Sequence, residues 1–174
     1  MGFFDSILGH HPDPAAGWEA FQSPMPDFDL AGMRFGQLKF GDGFASAAFL
    51  GRPNEVRWPQ DDYCEMYYTA GGFRIGFEKG KFSYLVFAIS PDKFGPIGVT
   101  FAFSQPKLLG FGPEAICLRE STRREDLQKL LGPPADVDED DDETVITYQR
   151  NKLHLEFDYT PEGLLKRLDL YPMR

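Results

Sequence analysis

The run Asp136-Val137-Asp138-Glu139-Asp140-Asp141-Asp142-Glu143 gathers candidate oxygen ligands for a cation in one short stretch. Calcium loops of the EF-hand kind need glycine at the sixth position and a bidentate glutamate at the twelfth. Counted from Asp136, those places hold Asp141 and Thr147, so the pattern fails. The run reads instead as a solvated loop between helix and strand, with Asp138, Glu139, Asp140, Asp141 and Asp142 offering charge to a basic partner. His10 and His11 are adjacent rather than spaced as helical zinc ligands, and no second histidine has ligand spacing to His154. No metal site is expected. Cys64 and Cys117 lack both a CxxC spacing and a cysteine–histidine signature, and read as small buried hydrophobes. No nucleophile elbow, dinucleotide fingerprint or phosphate loop occurs. The sequence therefore assigns no catalytic residue and no cofactor.

The residue types left to do chemistry are those that concentrate binding energy at interfaces, tyrosine and arginine above all. Strand alternation decides which of them share a face. Leu153, Leu155, Phe157 and Tyr159 point one way, while His154, Glu156 and Asp158 point the other. By the same phase Met66, Tyr68, Phe73, Ile75, Phe77, Phe87 and Ile89 turn toward the core, and Cys64 shares that phase. Tyr63, Glu65, Tyr67, Arg74 and Tyr84 then face outward, joined by Thr147, His154, Glu156, Arg167 and Tyr171. Tyr63, Tyr67, Arg74, Tyr84, His154, Glu156, Arg167 and Tyr171 form the expected partner-binding face.

The elements that must carry this face repeat. Leu50-Gly51-Arg52-Pro53 is answered by Leu131-Gly132-Pro133-Pro134, Met66-Tyr67-Tyr68 by Ile146-Thr147-Tyr148, and Phe73 to Glu78 by Leu153 to Asp158. Gly43 to Leu50 reads as a short helix stopped by Gly51 and Pro53. Ser121 to Leu131 reads as a stronger one, capped by Ser121 or Thr122 with Glu125 in the capping-box position for Thr122. Glu78-Lys79-Gly80-Lys81 and Tyr159 to Gly163 read as turns, as does Gly71-Gly72. The expected fold is α+β: two tandem helix-plus-three-antiparallel-strand repeats sharing one sheet, with helices on one face. Residues 1–34 form an N-terminal segment with a short amphipathic helix through Phe3, Phe4, Ile7 and Leu8. Repeat 1 covers 35–91 and repeat 2 covers 116–174. The connecting segment 92–115 contains Val99 to Phe103, which alternates like an extra strand.

This layout resembles the repeat of the beta-lactamase-inhibitor-protein-like and SmpA/OmlA-like folds. There a helical segment ending in Gly-x-Pro leads into three antiparallel strands, matched here by Phe49 to Pro53 with Tyr67-Tyr68 and by Leu130 to Pro134 with Tyr148. The resemblance implies protein binding by the exposed sheet face rather than catalysis.

The totals agree with an ordinary globular chain: 174 residues, 42% hydrophobic and 26% charged, with 17 phenylalanines. A net charge of −9, from 27 acidic and 18 basic residues, argues against nucleic acid and for a basic protein partner. No apolar run reaches the ~20 residues that span a bilayer, and no signal peptide is evident. A cytoplasmic setting is expected. The function expected is that of a non-catalytic binding module of inhibitor or immunity type. The alternative is a small-molecule-binding or enzymatic domain with a pocket between helices and sheet.

Overall fold

The computed structural model describes residues 11–22, 24–90, 99–110 and 114–173. The expected helix through Phe3 to Leu8, and His10, lie outside the described residues. Glycine, proline and aspartate crowd the chain before residue 44, and segments so punctuated pair only briefly. They give strands β1 (Phe28–Asp29), β2 (Arg34–Phe35) and β3 (Leu38–Lys39). Phe44–Leu50 follows as a single 3-10 segment, and Gly51, at φ 78°, ends it.

From there the chain obeys its period of two. Strands β4 (Glu55–Gln60), β5 (Tyr63–Tyr68), β6 (Phe73–Glu78) and β7 (Lys81–Ala88) pair antiparallel in sequence. The β6–β7 turn places Lys79 and Gly80 at φ 51° and 71°, the left-handed backbone that two-residue hairpins demand. Strands β8 (Lys107–Leu109) and β9 (Ile116–Cys117) join β1 to complete a small sheet in the order β3-β2-β1-β8-β9. Helix α1 (Arg124–Leu131) then buries Leu127 and Leu131, with Glu125 and Asp126 in its first turn and Lys129 in its last, matching its dipole. Strands β10 (Asp136–Glu139), β11 (Thr144–Arg150), β12 (Leu153–Tyr159) and β13 (Leu165–Pro172) close the chain. The large sheet runs β10-β11-β12-β13-β7-β6-β5-β4 and is antiparallel throughout. Its outermost strands are β10, which carries Asp136, Asp138 and Glu139, and β4, which carries Pro59.

The protein is mostly β, and the expected α+β architecture of helix-plus-three-strand repeats covered by helices is incorrect. The small sheet, α1 and the 3-10 segment share one core with the large sheet, α1 through Leu127 and Leu131 and the 3-10 segment through Ala47 and Leu50. Phe28, Phe35, Leu38 and Leu108 from the small sheet pack with Phe73, Phe87, Leu155, Phe157 and Leu168 from the large one. Aromatic rings knit the layers, Phe35 edge-on to Phe73 and Phe87 at 5.1 and 5.6 Å, and Phe40 stacked on Phe82 at 4.4 Å. The region read as a first helix has no side-chain cap and only one 3-10 run. The real helix begins after Arg123, not after Ser121 or Thr122, and its cap residue makes no side-chain bond. Thr122 Oγ1 accepts from the Arg119 amide instead. Val99 to Phe103 is not a strand. Among the described residues no helix is long and apolar enough to cross a membrane.

Candidate functional site: a tyrosine and carboxylate face on the large sheet

Register builds the face that points away from the core. Tyr67 lies opposite Arg74, Arg74 opposite Val86, Val86 opposite Asp169, Asp169 opposite Glu156, and Glu156 opposite Thr147. A second row runs from Ala88 through Arg167 to Asp158. On the other side Glu65 faces Gly76 and Gly76 faces Tyr84, while His154 faces Tyr171. Side chains from β5, β6, β7, β12 and β13 are thereby brought to one surface.

Their polar atoms form a connected system. Arg74 pairs with Glu65 at 3.2 Å and donates to the Tyr67 hydroxyl at 3.4 Å, and Tyr67 donates to Glu65. Its guanidinium also lies 5.8 Å from the Tyr67 ring centre and 5.5 Å from that of Tyr84. Arg57, held by Glu55 at 2.6 Å, sits 5.1 Å over the same Tyr67 ring. Across the β7–β13 junction the Tyr84 hydroxyl donates to Asp169, and Arg167 pairs with Asp158 and, at 3.7 Å, with Asp169. Tyr171 donates to Glu156 and stacks on His154 with ring centres 5.0 Å apart. Tyr63 makes a longer bond to Glu65, at 3.4 Å. Glu55, Glu65, Glu156, Asp158 and Asp169 share this surface with Arg57, Arg74 and Arg167, so carboxylates outnumber guanidiniums there.

Burial sets the protonation of these groups. It pushes the Tyr67 hydroxyl up to about 12, helped by the bond to Glu65, and raises Tyr63, Tyr84 and Tyr171 further in the same direction. The hydroxyls stay protonated and act as donors to the carboxylates. Burial also lifts Asp158 to about 6 against the opposing pull of Arg167, and raises Asp169. Burial alone would lower Arg74 and Arg167. Glu65 and the two tyrosines, and Asp169 with Asp158, hold them above the usual arginine value.

The face is not the open surface the alternation suggests. Val99 and Phe101 lie over it and form a second small core with Tyr67, Val86 and Ala88. Ser104 anchors this roof by its amide and its hydroxyl, both donating to the Ala88 carbonyl at 2.8 and 2.6 Å, and Ala102 donates to the Thr69 carbonyl at 2.8 Å. Tyr67, expected to be exposed, is therefore fully buried, and Glu65, Asp158 and Asp169 are buried too. Tyr63, Tyr84, His154, Glu156, Arg167 and Tyr171 keep partial access to solvent. Beside the roof a cleft of about 460 Å³ opens between Tyr63, Tyr84 and Tyr171, with Glu78, Ser83 and Met173 in its walls. Gly76 makes room for it: a Cβ there would meet the Tyr63 hydroxyl oxygen at 2.5 Å.

Glu78, Ser83 and Asp169 were absent from the expected site. The phase of Arg167 and Tyr171 points to Asp169, and a glycine inside an aromatic strand is the signal at Gly76. The acidic run is not a simple loop. Asp138 and Glu139 end strand β10, while Asp140 caps the hairpin by accepting from the Asp142 and Glu143 amides at 2.8 Å. These carboxylates stand apart from the tyrosine cleft. Among the described residues no group of three or more histidine, cysteine or acidic side chains could hold a metal. Cys64 is buried and Cys117 only partly so, which corrects the reading of Cys117 as buried; both are free thiols. Between the two sheets lie the packed rings of Phe35, Phe73 and Phe87. A larger opening, of about 620 Å³, lies at the surface beside Phe21, Met25 and Phe103.

No family model matches the chain, and no curated protein does either. Among solved structures, that of a DUF4309 family protein (YjgB) from Bacillus subtilis subsp. subtilis str. 168 aligns with a TM-score of 0.45 and 18% identity. The alignment covers 98% of this chain and 92% of that one.

Proposed function

We propose that the protein is a non-catalytic binding module that receives a basic protein partner on the outer face of its large sheet, around the cleft of Tyr63, Tyr84 and Tyr171. The observation that supports this reading most is the fixed excess of carboxylate over guanidinium beneath rings that stay partly accessible. Each tyrosine hydroxyl is committed to a carboxylate, so the rings are held in place before any partner arrives. Rings ordered in advance lose little rotamer freedom on binding, which favours tight recognition. An overall charge of −9 would steer a basic partner toward the molecule.

The test is affinity capture with the full chain at low and high salt, followed by repeat binding of the captured, purified partner to variants. Tyr171→Ala and Tyr63→Ala should each weaken it by about tenfold, the loss expected for truncating an interface anchor. Leu130→Ala, at an exposed site on α1, should leave it unchanged. Equal retention by all three variants would remove the proposed face.

A further inference from the structure

We infer that the cleft between Tyr63, Tyr84 and Tyr171 is the seat of a cationic group on an apolar stem, a guanidinium or an alkylammonium; this inference rests on the binding-face reading above. Three features of the cleft select that chemistry. Its walls are phenol rings, whose faces attract cations through the ring quadrupole. The hydroxyls of all three rings donate to carboxylates, Tyr63 to Glu65, Tyr84 to Asp169 and Tyr171 to Glu156, which leaves the rings richer in electrons. The same surface already binds cations in this way, because Arg74 lies over Tyr84 and Tyr67 and Arg57 over Tyr67.

The charge around the cleft points the same way. Glu55, Glu65, Glu156, Asp158 and Asp169 outnumber Arg57, Arg74 and Arg167 on this surface. The apolar part of the wall favours a stem over a bare ion: Met173, itself 41% exposed, stands beside Pro172 where methylenes of a lysine or arginine would lie. A bare divalent ion would need converging oxygen ligands instead. At about 460 Å³ the cleft is roomy enough for such a side chain or for a small free cation.

The experiment titrates the full chain with an oligo-arginine peptide, an oligo-lysine peptide and tetramethylammonium, followed by calorimetry and by tyrosine ring NMR signals. Near-UV circular dichroism confirms the fold of each variant. Tyr63→Leu and Tyr171→Leu, which keep bulk and remove the ring, should each weaken cation binding by about three- to tenfold. Leu130→Ala, at an exposed site on α1 away from the cleft, should stay within about twofold of the parent. Binding of the peptides alone identifies a protein side chain as the source of the cation, and comparable binding of tetramethylammonium identifies a small free one. Peptide binding that ignores both leucine variants but disappears when Asp138, Asp140, Asp141 and Asp142 become asparagine would overturn the cleft assignment. That result would leave a basic partner in place. Failure of every cation, beside a captured partner that still depends on Tyr171, would overturn the cationic ligand while the outer face stands.

Discussion

A carboxyl group taken out of water beside another carboxyl resists losing its proton, and Asp158 shows the thermodynamic cost. Its side chain is buried, with Asp169 and Glu143 nearby and Arg167 as counterion. Its pKa stands at about 6 against an ordinary 3.8. Between those values the native protein holds a proton that the unfolded chain releases, so this group's contribution to stability falls as pH rises through the window. At ~1.4 kcal/mol per unit, a shift of about two units corresponds to roughly 3 kcal/mol. Asp29 and Asp140 act with the opposite sign. Backbone amides, of Gly32 for the first and of Glu143 and Asp142 for the second, hold them below the usual value, so their contribution is lost as pH falls. Asp158→Asn isolates the first effect. Denaturant midpoints across the acid range should show a decline in the parent that the variant lacks, and identical profiles would place the proton elsewhere.

At the scale of elements, close backbone approach sets the tolerances. Gly51 ends the 3-10 segment at φ 78°, and its carbonyl accepts from the buried Tyr68 hydroxyl at 3.0 Å. A Cβ there would lie 2.7 Å from the Ala20 carbonyl oxygen and the Phe21 Cα. Gly17 has a similar φ, 83°, with nothing within 4 Å. Gly51→Ala should therefore cost about 2–4 kcal/mol and Gly17→Ala about 1 kcal/mol, by chemical denaturation. Equal costs would mean that strain at φ, not crowding, decides both.

Some elements were readable and others were not, for the same physical reason. Strands β5, β6, β11 and β12 carry an alternation long enough to show, and α1 has its leucine face and a terminal glycine. That alternation also placed Tyr63, Arg74, His154, Glu156 and Tyr171 on one surface. The two- and three-residue strands of the small sheet are too short to have a period, so that layer left no trace. Val99 and Phe101 alternate because they pack on Tyr67, Val86 and Ala88, and no strand forms there. Nothing local to Tyr67 reveals that a segment distant in sequence covers it.

The whole molecule hinges on one junction. Strands β7 and β13 pair through Ala88 with Arg167 and Leu85 with Leu170, and the Lys166 carbonyl accepts from the Ile89 and Ser90 amides. The core crosses this junction without interruption. Unfolding should therefore be a single transition, with tyrosine near-UV and backbone far-UV circular dichroism coinciding. Two resolved steps would mean that the halves of the large sheet fold separately.

A sheet with two open margins grows by accretion unless those margins forbid it. Pro59 removes a donor from β4, and Asp136, Asp138 and Glu139 place like charges where a second copy of β10 would have to lie. Two molecules meeting margin to margin on that side would set carboxylate against carboxylate. The acidity that would draw a basic partner is thus also a guard against self-association. Any variant stripped of these acids shifts both equilibria at once, so its binding curves carry meaning only beside a measured molecular size.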